Sequence, residues 1–531
     1  MFLFCGYMIT IVFISYLITL YEHIRKIRLI KNGGRTQNLE IYPQAPGPFP
    51  WPLFGNLHLL ASKNAPIKSL SVLAIKFGGI YSLTLGSTRC VVISNLELIR
   101  EVLNQNGKFF GGRPNFIRYH KLFGGDRNNS LALCDWSILQ KRRRNLARRY
   151  CSPRISSPHF MKMSKIGCLE TDILMGYLSK NIKDGKPVYI KYIIQRTCAN
   201  MFFRYMCSIH FDHTDREFCE VVRLFDQIFW EINQGYILDF LTWLSPFYKN
   251  HLDKISNWSS KIRSFILQRI INKREQPDER IEDDFTGALL KSLNDDENMS
   301  RDKIIYMLED FIGGHSAVGN VVMLTLMYLA KNQSVAKKIQ SEVDLVARNN
   351  GRRTISFYDI DSMPYTMATI YEVLRCSSSP IVPHVATKHT AIAGYGIAKG
   401  TIVFINNYAL NHDKLFWKKP YCFHPERFLE QAFNKSGVRN AVLDLGRFEK
   451  FDIDKSPKNS RIKKNISYFL PFSIGKRTCI GQNLVRGFGF ILVANILSQY
   501  DINYESNSVL KIKTGSIALL TDSEPLVLTK R

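Results

Sequence analysis

Between Arg301 and Lys331 the chain reads as one long helix, apolar on nearly every side after Ile304. Such a helix offers no face to water, so it belongs at the centre of a protein large enough to surround it. Ser300 is placed to cap its start. One stretch inside it, "FIGGHSAVGN" at 311–320, does not suit a plain buried helix. Each interior glycine costs a helix about 1 kcal/mol relative to alanine. Gly313 and Gly314, followed by His315, Ser316 and Ala317, therefore raise the question of what needs the backbone opened there.

The remaining chain is long enough to bury such a helix. It has 531 residues, 45% of them apolar and 22% charged, which suits a large globular enzyme. Most segments from about Trp136 to Arg348 have helical periodicity, among them "VRLFDQIFWEIN" and "SKIRSFILQRIINKRE". "IYSLTLGSTRCVVIS" at 80–94 reads as a β-hairpin turning near Gly86, and Asn95 then caps a helix. Short strands return near 386–405 and near the C-terminus. The expected fold class is mainly α with small β-sheets. Residues 431–464 are polar and highly charged and read as a poorly ordered surface insertion. The 11 cysteines show no CxxC spacing, which fits free thiols in a reducing compartment.

Residues 1–21 carry no charge and as a helix would span about 31 Å, enough for a bilayer core. Arg25, Lys26, Arg28 and Lys31 follow and place that flank in the cytosol. The expectation is an uncleaved single-pass anchor in the endoplasmic reticulum membrane, with the body cytosolic. Pro43, Pro46, Pro48, Pro50 and Pro52 then forbid helix and favour a stiff extended hinge. The domains expected are an anchor at 1–21, a basic flank and hinge at 22–52, and a catalytic domain at 53–531. Net charge is +27, and basic density peaks at "KRRRNLARR", 141–149. Charge of that sign meets nucleic acid, anionic lipid or an acidic protein. A nuclear signal conflicts with the N-terminus, so no nucleic-acid partner is expected.

The informative stretch is "FLPFSIGKRTCIGQNLVRGFGF", 469–490. Cys479 lies between turn residues and a helix that starts near Gly481. A lone cysteine is ordinarily a small hydrophobe. Here Gly475 permits a tight turn, Gly481 permits close approach of something flat, and Arg477 offers a fork for a carboxylate. A thiolate near a helix N-terminus is electrostatically favoured. Together these describe a thiolate-ligated metal in a cofactor that carries carboxylates.

At this point the chain closely resembles the cytochrome P450 family. The family pattern F-x-x-G-x-R-x-C-x-G is matched by Phe472, Gly475, Arg477, Cys479 and Gly481. The resemblance implies haem b, with Cys479 as the axial thiolate of its iron. It also implies a structural ion network of Glu372 and Arg375 in "EVLR" with Arg427 in "PERF". His384 falls where the family places a donor to a haem propionate. The family has a Trp with an Arg four residues on; here Trp136 is followed at that distance by Gln140, and Arg143 is the substitute candidate. Gly313, Gly314, His315, Ser316 and Ala317 register with the family's oxygen groove, with Ser316 in place of the acid and Ala317 in place of the threonine. Whether His315 faces the haem or turns away is open from sequence.

"FWEINQG", "MPYTMATIYEVLR" and "FIGGHSAVGN" are similar to the Spook-type insect Halloween P450s of ecdysteroid synthesis. That likeness implies a sterol substrate. It also implies electrons from NADPH through cytochrome P450 reductase, with cytochrome b5 as an optional second donor. The basic residues 141–149 and Lys476 would flank the haem's proximal side and dock the reductase. Two alternatives stand beside this reading: a P450-fold isomerase or dehydratase that uses no external electrons, and a haem-binding protein without turnover.

Overall fold

The computed structural model describes residues 42–531 except 61–65, 183–184, 275–282, 296–298, 352–353, 380, 432–459, 506–509, 513–514 and 520–523. The anchor expected at 1–21, most of its basic flank and the body of the charged insertion lie outside the described residues.

The long apolar helix forms in two segments, Arg301–Ile312 and His315–Lys331, with a turn at Gly313–Gly314. Ser300 Oγ accepts from the Lys303 amide at 3.3 Å and caps the first segment. Taken as one, the span is long and apolar enough to cross a membrane, but it is buried within the protein. Helices Lys191–Cys207, Arg216–Ile232, Gln333–Asn350, Pro364–Ser377 and Gln482–Gln499 pack around it. Together they enclose one large apolar core, which is why so few of its own positions carry charge.

The hairpin forms as expected, with Ile80–Leu85 antiparallel to Thr88–Ile93. Thr88–Ile93 pairs in parallel with Ile402–Ile405, and His384–Val385 pairs on the far side of that strand. The result is a four-stranded sheet that carries His384 on its edge. Asn95 Oδ1 caps the next helix by accepting from the Leu98 amide at 3.0 Å. A three-stranded sheet joins Tyr500–Asn503, Leu526–Lys530 and Pro187–Val188.

One expectation is corrected at its margin. The last residues of the charged insertion are ordered: Ser460–Ile462 pairs antiparallel with Leu429–Gln431. Lys463 Nζ donates to the Arg427 carbonyl at 2.9 Å. The apolar Ile462, opposite Leu429, supplied a strand position that overall charge concealed. Ten of the eleven cysteines are described, and all ten are free thiols.

Candidate active site

The segment that carries Cys479 is a tight loop leading into the helix Gln482–Gln499. Gly475 has φ +74°, and a Cβ there would collide with the Leu103 carbonyl, so only glycine fits. The Cys479 amide donates to the Phe472 carbonyl at 2.9 Å and closes the loop. Phe472 lies under the Arg486 guanidinium, 5.4 Å from it. A Cβ on Gly481 would meet nothing within 4 Å, so that side of the loop borders open space. The basic helix Ile138–Cys151 grips the loop from outside. Arg144 Nη2 donates to the Thr478 carbonyl, and Ser152 Oγ, just past the helix, donates to that of Ile480 at 2.7 Å.

Cys479 keeps accessible surface, yet protein surrounds it closely. Burial raises its thiol above the ordinary range, while the Gly481 amide and the charge of Arg144 pull it back. A cation held at the sulfur would offset the remaining cost, because a metal binds the thiolate.

Around this loop stands a group of buried cations. Arg113 donates from Nε to the Ala132 carbonyl at 3.1 Å and from Nη1 to those of Val382 and Pro383 at 2.8 and 3.1 Å. Arg477 Nη2 donates to the Gly111 carbonyl at 2.6 Å and to that of Cys134. Its Nε and Nη1 are buried and have no partner among the described residues. Among the described residues no carboxylate forms an ion pair with the guanidinium of Arg113, Arg144 or Arg477. Burial, then repulsion from Arg477, lowers Arg113 to about 9 and Arg144 to about 10. Like charges are gathered in low dielectric without a counter-ion, which is a socket for an anion.

His384 completes the socket. Its Nδ1 meets the Phe110 carbonyl at 2.8 Å, and its Nε2 has no partner among the described residues. Burial, with Arg113 and Arg477 nearby, holds the imidazole well below its usual range. With the Nδ1 proton committed to Phe110, Nε2 donates only when the ring gains a second proton. A carboxylate beside it would favour that gain. Trp136 stacks near the same place, its ring 5.7 Å from both Lys476 Nζ and the Arg477 guanidinium.

The expected ion network forms in full. Glu372 and Arg375 are wholly buried and paired at 2.7 and 2.8 Å. Arg427 Nε reaches the same carboxylate at 3.1 Å. Phe428, next to Arg427, packs 4.9 Å from Phe469 at the head of the cysteine segment. That contact links the network to the loop.

On the central helix, Asp310, Gly313, Gly314 and Ala317 keep accessible surface, while Ile312, His315, Ser316 and Val318 keep none. The spacing of the first set puts them on one helix face. A Cβ on Gly313 would press on the Phe225 ring at 3.2 Å, and one on Gly314 on the Phe202 ring at 3.2 Å. Close packing therefore favours glycine at both positions. His315 lies between Phe202 and Phe225, away from the accessible face. Its Nδ1 meets the Ile312 carbonyl at 2.6 Å, and burial lowers it to about 4. The Ser316 hydroxyl is buried without a partner among the described residues.

The cytochrome P450 family model matches residues 45–529. The chain belongs to the cytochrome P450 family. It is 55% identical over 529 residues to Cytochrome P450 307a1 of Drosophila melanogaster, covering 97% of this chain and 95% of that one. It is 29% identical over 501 residues to the steroid 17-alpha-hydroxylase/17,20 lyase of Cavia porcellus, covering 90% and 91%. Two zebra fish cytochrome P450 structures, one with progesterone and one with abiraterone, share its fold. Their TM-scores are 0.71 and 0.69 at 23% and 22% identity, each covering 88% of this chain and 99% of theirs.

In this P450 the haem that the family implies fits the residues present. The orphaned guanidinium nitrogens of Arg477, and His384 Nε2 once its ring is protonated, match its two carboxylates, and Cys479 matches its iron. Sequence reasoning missed Arg113 and Arg144. Arg113 is signalled only by "GGRP", where two glycines let its backbone pass close to Trp136 and Val385. Arg144 was hidden in a charge run that reads as surface. Helical spacing divides that run: Gln140, Arg143, Arg144, Ala147 and Cys151 are buried, while Lys141, Arg142, Arg148 and Arg149 are exposed. The shared helix face expected for Trp136 and Arg143 does not form. Ser137 caps the helix, so Trp136 precedes it. Gln140 donates to the Leu131 carbonyl at 2.8 Å and makes no charged contact.

Proposed function

We propose that this P450 is a haem-thiolate monooxygenase that oxidises a sterol intermediate early in ecdysteroid synthesis. Electrons start from NADPH and reach it through a reductase. The similarity to the Drosophila relative over nearly the whole chain carries this reading. Bound haem would supply an iron that activates O₂. Cys479 would ligate that iron, and Arg113, Arg477, His384 and Trp136 would hold the carboxylates. Gly475 shapes the loop turn, and Gly481 would leave room for the cofactor beside the backbone. On the accessible face of the central helix, Gly313 and Gly314 offer bare backbone and Ala317 offers only a methyl. His315 is neutral and turned away, and Ser316 is buried off that face. Asp310, on the same face, is engaged by Ser130 Oγ and the Leu131 amide, so water or a substrate hydroxyl is then the proton source.

Purified protein with reductase, NADPH and candidate sterols should give a product heavier by oxygen or lighter by hydrogen, read by mass spectrometry. Ala317→Thr places a hydroxyl on the accessible face and should shift the product-to-peroxide ratio per NADPH. His315→Ala and Ser316→Ala should leave that ratio nearly unchanged. A second reading, isomerisation or dehydration without external electrons, is favoured by the missing acid and threonine. Product formation without NADPH or reductase would establish it and overturn the first.

The single-pass anchor in the endoplasmic reticulum membrane remains part of the proposal. Beyond the uncharged N-terminus, Trp51, Leu53, Phe54, Trp243 and Phe247 are exposed. The two groups adjoin, since Gly86 donates to the Phe54 carbonyl at 3.1 Å and crowds Phe240 and Leu241. Aromatic residues of this kind suit a lipid interface. The protein should resist carbonate extraction and lose its body to protease added outside intact microsomes. Protection of that body would reverse the topology.

Reductase docking rests on Lys141, Arg142, Arg148, Arg149 and Lys476, all exposed. They lie on the outer side of the helix and loop that hold Cys479. Arg148→Glu with Arg149→Glu should slow reductase-driven reduction several-fold at low salt and flatten its salt dependence. Haem content should not change. Unaltered reduction rates would leave these residues as solvated surface.

A further inference from the structure

One charged side chain lies on the open face of the central helix and has no part in the haem site. Asp310 keeps accessible surface there, although protein surrounds it closely. The other positions of that face, Gly313, Gly314 and Ala317, bring no polar side-chain atom. Asp310 Oδ1 accepts from Ser130 Oγ at 3.0 Å, and Oδ2 accepts from the Leu131 amide. The Ala132 amide and the charge of Arg143 also favour the anion. Burial still pushes the carboxyl up to about 7. Among the described residues no cation forms an ion pair with Asp310. Glu309, beside it, is buried and paired with Arg263 at 3.3 Å.

The donors to Asp310 are fixed by other side chains. Residues 130–134 form turns, yet four consecutive carbonyls in them are each held. That of Leu131 accepts from Gln140 Nε2 at 2.8 Å and that of Ala132 from Arg113 Nε at 3.1 Å. That of Leu133 accepts from Arg127 Nη1 at 2.7 Å and that of Cys134 from Arg477 Nη2. The segment therefore does not need Asp310 to hold it. A neutral side chain at 310 would cost less, because an enclosed anion is expensive without a counter-ion. What the charge adds is spare capacity. A carboxylate offers about four acceptor sites. Ser130, Leu131 and Ala132 occupy three of them and leave one for a donor that arrives along the open face.

We propose that Asp310 is a binding residue that accepts a hydrogen bond from the ring hydroxyl of the sterol. Asp310 has this role only if the sterol reading above holds. At the ordinary helical rise, Asp310 and Ala317 lie about 10 Å apart along the axis, a span comparable with the fused rings of a sterol. Bare backbone at Gly313 and Gly314 lies between them, so no side chain stands in the way of a flat apolar body. A hydroxyl that donates to a carboxylate already held in place forms a strong bond at little ordering cost. A ligand that lacks the hydroxyl covers the charge and leaves it without that partner.

The test compares cholesterol with cholestene, its counterpart without the hydroxyl, on the haem-loaded protein. Binding is read by the Soret shift and by equilibrium dialysis. The unaltered protein should hold cholesterol at least about tenfold more tightly than cholestene. In Asp310→Leu that preference should shrink to within about twofold. Asp310→Asn keeps one acceptor oxygen and should fall between. Imidazole affinity, read at the same band, should stay within about twofold of the parent in both variants, because residues 130–134 keep their other holds. A parallel loss of imidazole affinity would make Asp310 a structural prop and overturn the assignment. Equal affinity for the two compounds in the unaltered protein overturns it without any variant, as does a preference that survives Asp310→Leu. If neither compound binds the unaltered protein, the sterol reading falls and takes the assignment with it.

Discussion

Cys479→Ser and Cys479→His are each expected to abolish the red-shifted Soret band of the reduced carbon monoxide complex. That band reports a thiolate opposite the bound gas, and serine and histidine supply none. Four other described cysteines are poor substitutes. Cys90, Cys151, Cys198 and Cys207 are buried in apolar surroundings that push their thiols up to about 12 or beyond. Cys479 alone combines accessible surface with the Gly481 amide and the Arg144 charge, both of which favour the thiolate. The variants should still fold, because the loop is closed by backbone bonds from residues 478 and 479 and by Arg144 and Ser152. Retention of the band in Cys479→Ser would mean that another sulfur is the ligand and would dissolve the site as drawn.

How much of this could be read beforehand follows from where each residue finds its partners. The cysteine loop was legible because its requirements are local: Gly475 is needed for a positive φ within ten residues of the ligand. Glu372 and Arg375 were legible as a pair because they lie one helical turn apart. Arg113 was not, since its acceptors come from residues 132, 382 and 383, which no spacing rule connects. Arg144 was readable in principle, by asking which of the consecutive cations share a face with Gln140 and Ala147. The orientation of His315 was undecidable from sequence. It depends on Phe202 and Phe225, contributed by two other helices. The buried ion group of Arg118 with Glu231 and Asp239 was invisible for the same reason, because both carboxylates lie more than a hundred residues away.

Loss of Glu372 should cost the most stability of any single side chain in the site. Glu372 is the shared anion of two cations, and it also accepts from the His424 amide at 2.8 Å. Arg375 is wholly buried, and its remaining bonds go to the carbonyls of Asn411, Pro420 and Cys422 and to the Cys376 thiol, which carry no net charge. Removing the carboxylate leaves a guanidinium in low dielectric with only neutral acceptors, a change worth about 3–5 kcal/mol. A domain holds only about 5–15 kcal/mol in reserve, so Glu372→Gln should sharply lower the yield of haem-loaded protein. Glu372→Leu with Arg375→Leu should lose less than the sum of the two single changes, because the second removes a charge that the first has stranded. Urea unfolding followed at the Soret band measures all three variants. If the double variant loses the full sum, the two side chains act independently. The bracing of the cysteine loop through Phe428 and Phe469 would then have to come from packing alone.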